Sequence, residues 1–345
     1  MKKIRILSID GGGIRGIIPG TILAQLEKIL NRLDGSQRKI GEYFDMIAGT
    51  STGGILACLY LMPGENNKAK YTAAEALDLY LSKGHIIFDR TLMEKILSGG
   101  GIIHNKYDEE PIYNLLTEYF GDETIAGFIK PSLITSYEIT DRKAVFFTST
   151  DARQDTMNNF YVRDAARATS AAPTYFPPAH IASLNGQKYT LVDGGLFANN
   201  PALCAYAEAR KTAFSVCLKD KDKKDKPTAA DMIMVSLGTG SVQKSYHYDN
   251  FKHAGEIKWL EPVIDILMSG NSETVAYQLT QMYLTLEPQF QKNYYRLEPG
   301  LKEACSEMDI ATEDNIDKLY QAGLTYAHNN INQLEAIAKN ILEND

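Results

Sequence analysis

Apolar side chains dominate residues 3–10, and the run stops at three glycines, Gly11, Gly12 and Gly13. A short apolar run bounded by a turn signal reads as a buried strand. Directly after it, Ile18, Ile22, Leu26, Ile29 and Leu33 recur at helical spacing. Pro19 suits a first turn, so a helix is expected over about 18–33. The cycle repeats at once, with a short strand over 45–49 and an apolar helix over about 52–61. Two strand-turn-helix units in succession imply a parallel sheet, because each helix carries the chain back to the same end.

The pattern then predicts helices over 73–83 and 110–120 and strands over 133–139 and 145–148, joined by a turn at Asp141-Arg142. A strand over 189–192 ends at Asp193-Gly194-Gly195, and a helix follows over 201–211. A buried strand over 232–237 ends at Gly238-Thr239-Gly240. Past about residue 255 the chain reads as helix, apart from a strand over 294–297. Residues 219–226 alternate Lys and Asp almost strictly, the pattern of a solvated loop. There is no internal repeat and no linker. The expected fold class is α/β, a three-layer α/β/α sandwich around a mainly parallel sheet. We expect one domain over 1–345, with a motif-bearing core at about 4–240 and a helical part at about 255–345.

Composition narrows the function. Of 345 residues, 44% are hydrophobic and 23% charged, enough apolar material for a core without disulfide or metal staples. A net charge of −7 argues against a nucleic-acid polymer as partner. Cys58, Cys204, Cys217 and Cys305 are widely spaced with no Cys-x-x-Cys pair, and are expected as buried free thiols. The longest uncharged stretch, 46–64, is broken by small and polar residues at 49–54, so it is expected inside the fold rather than across a membrane. No signal peptide is legible, and the expected location is cytoplasmic, with peripheral membrane contact.

Gly49-Thr50-Ser51-Thr52-Gly53 fits the nucleophile elbow G-x-S-x-G, with a strand before it and a helix after. Flanking glycines let a strained turn close, and the serine then projects at a helix N-terminus where partial positive charge favours an anion. A small-residue turn packing a helix on a sheet would look the same. Asp10-Gly11-Gly12-Gly13-Ile14-Arg15-Gly16 ends the neighbouring strand and exposes backbone N–H groups suited to an oxyanion hole. Arg15 is a charge for a lipid phosphate or for bracing the loop. The run also fits G-x-G-x-x-G, but the acidic residue that a dinucleotide site wants, Asp34, follows the helix instead of a second strand. Asp193 ends an apolar strand at the same expected sheet edge as Ser51. None of the six histidines, His85, His104, His180, His247, His253 and His328, lies in a motif.

These three motifs, in this order, together with residues 167–178 (Arg-Ala-Thr-Ser-Ala-Ala-Pro-Thr-Tyr-Phe-Pro-Pro), resemble the patatin-like phospholipases over about 4–200 and on to Gly238-Thr239-Gly240. The resemblance implies a Ser51–Asp193 dyad and an oxyanion hole from Gly11, Gly12 and Gly13 joined by the Thr52 N–H. Gly16, Gly49, Gly53, Gly194 and Gly195 would complete the motifs. It implies lipid acyl-ester hydrolysis of the phospholipase A or lysophospholipase type, without cofactor or metal, on a lipid or phospholipid substrate met at a membrane surface. The alternatives are an acyltransferase using the same serine, an α/β-hydrolase triad with His247 or His328, and a non-catalytic lipid-binding module. Some bacterial relatives are switched on by nucleotide signals, and no such switch is legible here. The apolar stretch 86–103, with Gly99-Gly100-Gly101, reads as core or as a lid.

Overall fold

The computed structural model describes residues 1–87, 106–241 and 245–345. The lid-or-core stretch lies outside them, apart from Ile86 and Ile87. Eight strands form one sheet: β1 (Ile4–Ile9), β2 (Met46–Thr50), β3 (Ser132–Glu138), β4 (Lys143–Phe147), β5 (Ala179–Ala182), β6 (Lys188–Asp193), β7 (Met232–Leu237) and β8 (Tyr294–Leu297). The hydrogen-bonded path runs β5-β6-β3-β2-β1-β7-β8, with β4 also on β3. Pairs β1–β2, β1–β7, β2–β3 and β7–β8 are parallel, whereas β3–β4, β3–β6 and β5–β6 are antiparallel.

The longer helices are α1 (Ile17–Asp34), α2 (Thr52–Leu61), α3 (Ala73–Ile87), α4 (Glu110–Phe120), α5 (Val162–Thr169), α6 (Ala202–Lys211), α7 (Glu256–Leu284), α8 (Glu313–Asn329) and α9 (Ile331–Leu342). Strand alternation sorts them into two layers. Leu7, Ile9, Ile47, Val235 and Leu237 face a core shared with α1 to α5, α8 and α9. Ile4, Ile6, Met46, Ala48, Met232 and Met234 face a second core shared with α6 and with Val275 and Leu279 of α7. Successive side chains of a strand point to opposite faces, so near-continuous apolar strands need helices on both sides.

The predicted elements are all present within a few residues, and α2, α4, β7 and β8 match at both ends. Of the elements named above, α5 and β5 were not anticipated, nor were several helices of four residues. Helix α5 buries Val162, Ala165, Ala166 and Thr169 at helical spacing, but it is eight residues long and its buried face is mostly alanine, while β5 is four residues long, too short to show a period.

Register explains how the two halves of the motif set meet. β2 pairs β3 up to Thr50↔Thr135, and β6 pairs it from Asp193↔Ser136. β4 spans Ile134 to Glu138 of β3 and so overlaps both. A strand has only two edges, so β2 and β6 lie end to end along one edge while β4 takes the other. The join is tight: a Cβ on Gly194 would stand 2.1 Å from Thr135 Oγ1.

Two expectations about polar residues need correction. Among the cysteines only Cys58 is buried; Cys204 and Cys217 are half-buried and Cys305 is exposed. Cys217 fails the expectation because its short helix runs straight into the charged loop at the surface. Lys223, inside the alternating Lys/Asp stretch, is buried. Its Nζ donates to Asp45 Oδ2 at 2.8 Å, to Asn344 O at 2.8 Å and to Lys3 O at 3.1 Å. Arg5 donates to the same Asp45 carboxylate through Nε and Nη2, at 3.0 and 2.8 Å. One buried anion thus ties the start of β1, the approach to β2, the 219–226 loop and the C-terminal helix end.

Burial opposes ionisation of Asp45, but Arg5 and Lys223 outweigh it and hold its pKa below the usual carboxylate range. That contribution is present above the unfolded-state pKa and is lost only as pH falls through the folded one. Asp45→Asn leaves two buried cations without their shared anion and should cost roughly 3–5 kcal/mol. Urea unfolding at neutral pH measures this, and a loss below about 1 kcal/mol would show that the cluster is not a stabilising hub.

Candidate active site

Ser51 sits between the last residue of β2 and the first of α2, at φ 54° and ψ −123°. Positive φ is a strained backbone for a residue with a side chain, at a typical cost of about 1–3 kcal/mol. The surroundings enforce it. A Cβ on Gly53 would lie 2.2 Å from Ile9 O, so the turn is pressed against the end of β1. The Ser51 N–H donates to Thr169 Oγ1 at 2.9 Å, from the end of α5. The hydroxyl of Thr52 donates to Tyr80 Oη at 2.8 Å, and Tyr80 Oη donates back to Thr52 O at 2.9 Å.

Asp193 arrives from the other direction, at the end of β6. Its N–H donates to Ala171 O at 3.0 Å, and its Oδ1 accepts from Gly195 N at 2.7 Å. The segment from Thr169 to Ala171 therefore holds both Ser51 and Asp193 by the backbone. Asp193 is buried, and its Oδ2 makes no hydrogen bond of good geometry. Burial pushes its pKa up to about 6, with the Ser51 hydroxyl and the Gly195 amide pulling the other way. Ser51 is thus near enough to act on the carboxylate, although the contact lacks the alignment of a formed hydrogen bond.

The glycine loop faces this pair, and the structure alters one expectation about it. The Gly11 N–H donates to Asn199 O at 3.0 Å, so that amide is already engaged. Ile14 N donates to Met308 O and Arg15 N to Gly12 O, while the Gly12 and Gly13 amides take no part in these bonds. Thr239 Oγ1, from the turn after β7, donates to Gly11 O at 2.7 Å. The loop is thereby clamped from two sides.

Arg15 is buried, and its Nε donates to Gly12 O at 3.3 Å while Nη1 has no hydrogen-bond partner among the described residues. It does not line the cavity over Ser51 but a neighbouring polar one. Burial lowers its pKa, against the acidic groups nearby. Asp10, at the root of the loop, forms a two-point ion pair with Arg296, at 3.0 and 2.7 Å. Burial pushes Asp10 up to about 6 while Arg296 pulls it down, so the carboxylate is ionised at neutral pH.

Two cavities meet here. One, of about 50 Å³, is lined by Gly13, Ser51, Thr52 and Asp193 on one side. Ile55, Ile112, Phe176, Met268 and Met308 give it an apolar wall. The second, of about 340 Å³, shares Met268 and Met308 and is lined by Asp10, Arg15, Asp265, Glu273, Arg296 and Glu298.

The other candidates fall away from this place. His85, His180, His247, His253 and His328 are exposed and none lines the cavity over Ser51; His104 lies outside the described residues. Asp34 ends α1 beside Arg38, about 27 Å of helix from the glycine loop, so it cannot serve a nucleotide bound there. Sequence reasoning missed Thr169, Ala171, Asn199 and Thr239 as supports. Three lie in or beside motif stretches, at 167–178 and 238–240, but only their contacts disclose what they hold.

The comparisons follow this geometry. A family model described as patatin-like phospholipase matches residues 7–206. Patatin-like protein 2 of Oryza sativa subsp. indica is 34% identical, over 97% of this chain and 86% of its own. Patatin-like protein 1 of Arabidopsis thaliana is 32% identical, over 99% and 87%. Patatin group D-2 of Solanum tuberosum is 33% identical, over 93% and 83%. These alignments extend through the C-terminal helices, where the motifs had given out. VipD from Legionella pneumophila, a solved structure, aligns with 94% of this chain and 67% of its own at 12% identity and a TM-score of 0.35, too loose a likeness to argue from. The strained serine, the facing carboxylate and the glycine loop occur in a chain that belongs to the patatin-like phospholipase family.

Proposed function

We infer that the protein hydrolyses acyl esters of lipids, in the manner of a phospholipase A or lysophospholipase, with Ser51 as nucleophile and Asp193 as base. The observation that carries this reading is a buried carboxylate with one unpartnered oxygen beside a strained serine, both in the wall of an apolar cavity. In the proposed sequence an acyl chain occupies that cavity and brings its ester carbonyl to Ser51. Ser51 Oγ attacks while its proton passes to Asp193. The oxyanion takes the Gly12 and Gly13 amides and the Thr52 N–H at the start of α2, where each donor is typically worth about 2.7–4 kcal/mol. Asp193 gives the proton to the departing alkoxide, which leaves as the alcohol. The restored carboxylate then takes a proton from water, whose attack on the acyl-enzyme releases the acid as Asp193 returns that proton to Ser51 Oγ. Transfer to an alcohol in place of water needs no other residue, so product analysis with an added acceptor separates hydrolase from transferase.

A carboxylate is a weak base for an alcohol, and burial makes Asp193 a better one. Its protonation sets the lower pH limit. With the folded pKa near 6, kcat/KM should fall about tenfold per pH unit below that and level off above it. A profile flat down to pH of about 4 would remove Asp193 from the role.

Replacing either partner should be nearly fatal. Ser51→Ala and Asp193→Asn should each lose roughly 10²-fold or more in kcat, with the double variant scarcely worse, because the two act as a unit. Each His→Ala variant, His104 included, should keep at least about a tenth of kcat. A folded histidine variant as inactive as Ser51→Ala would transfer the base role to that histidine. Asp193→Asn should at the same time gain stability. Its folded pKa is raised, so the folded state pays for the charge above about pH 6 and is relieved as pH falls toward the unfolded value. Two units correspond to about 3 kcal/mol, so the variant should melt no lower than wild type at pH 8, with the gap closing near pH 4. A variant that melts lower at pH 8 would show that the carboxylate is needed for folding.

Arg15 acts as a brace in this reading, through its bond to Gly12 O. Arg15→Ala should therefore reduce kcat/KM on phospholipids and on neutral esters to a similar degree. A loss confined to phospholipids would assign Arg15 to the phosphate instead.

A further inference from the structure

Helix α7 has two faces of different character. Its inward side carries Met268, in the wall of both cavities, and Val275 and Leu279, in the second core. Its outward side carries Trp259, Leu260, Val263, Ile266 and Leu267, which are between 37% and 52% exposed. At 100° per residue these five fall within an arc of about 120°, away from Met268. Soluble proteins seldom leave so dense a run of large apolar groups in water without a use.

The surroundings point to a lipid surface. Trp259 packs against Phe251 at 4.8 Å between ring centroids, and Phe251 against Tyr246 at 5.4 Å. Tyr248 stands 78% exposed beside them. Aromatic clusters of this kind settle at the boundary between hydrocarbon and water. The stripe is backed by Met268, so a bilayer seated on it would lie next to the cavity that holds Ser51. Five side chains on a little over two turns of one helix are far fewer than the roughly 20–30 residues per partner of a stable protein interface. The nearby cations are occupied: Lys252 pairs with Asp249 at 3.1 Å, and Lys258 donates to Asn250 O while lying over Phe251. With a net charge of −7, attraction to anionic lipid is not the driving force.

We propose that the outward face of the first half of α7 seats the protein on a zwitterionic bilayer by apolar insertion of Trp259, Leu260, Val263, Ile266 and Leu267. This rests on the reading as a lipid acyl hydrolase and adds the surface through which that substrate is reached. Trp259 is the chain's single tryptophan and reports on the contact directly. The test uses the full chain as Ser51→Ala, so that no lipid is consumed, titrated with phosphatidylcholine vesicles. Tryptophan emission should shift to the blue and the protein should sediment with the vesicles, both persisting at high salt, because apolar insertion is not screened.

Leu260→Glu and Ile266→Glu, in chains with an unaltered melt, should each weaken vesicle binding about tenfold or more. With Ser51 intact, the same variants should hydrolyse a monomeric short-chain ester as wild type does and lose activity only on vesicles. An unchanged tryptophan spectrum without co-sedimentation would overturn the proposal. So would binding that the substitutions leave intact, or self-association in the absence of lipid that they abolish. Because the vesicle readout uses a catalytically silent variant, it stands or falls separately from the dyad, whose failure would show as no turnover of the soluble ester.

Discussion

The site depends on one constraint, the meeting of β2 and β6 end to end along a single edge of β3. β2 brings Ser51 to that point from one direction and β6 brings Asp193 from the other. No rotamer choice could bring the pair together if β6 were shifted by two residues, since each residue of a strand advances about 3.3 Å. The absence of a side chain at Gly194 lets the strands abut at Thr135. Thr135 Oγ1 also lies 2.7 Å from Thr50 Oγ1, so the seam is stitched on the β2 side as well. Around this seam, α5 and the segment after it fasten both halves by the backbone, and Asn199 and Thr239 fasten the glycine loop opposite.

Burial acts on Asp45, Asp10 and Asp193 alike, and their partners decide what each becomes. Asp45 meets two cations and is held strongly acidic, a structural anion. Asp10 meets one, Arg296, and stays ionised at the root of the loop that faces Ser51. Asp193 meets none and has only the Gly195 amide and the nearby Ser51 hydroxyl to offset desolvation. That is costly to the fold and useful to a base, because a carboxylate whose pKa approaches neutrality binds a proton more readily. The same opposition appears in the backbone, where Ser51 keeps a positive φ that its neighbours impose.

The parallel core was legible because its signals are local. Apolar runs ended by glycines, followed by apolar residues at helical spacing, gave β1, α1, β2 and α2, and the elbow motif marked Ser51. The antiparallel margin was harder. β5 is four residues long, and α5 is eight residues whose apolar side is mostly alanine, so each offers too few large apolar positions to stand out. Lys223 misled for a related reason: an alternating charge run looks solvated, yet a partner 178 positions away made one lysine's burial affordable.

By itself, the sequence determined the element order, the two-sided burial of the central strands and that Ser51 follows and Asp193 ends an apolar strand. These follow from spacing and residue type within short windows. Tertiary structure alone decided which amides of the glycine loop are engaged and how far Asp193 is desolvated. It also decided that Arg15 donates to Gly12 O and lines a cavity beside the one over Ser51, and that the outer face of α7 is exposed. Each of these depends on where a group from a distant part of the chain comes to rest. Hydrogen bonding, desolvation and exposure act over a few ångströms in space, whatever the separation along the sequence.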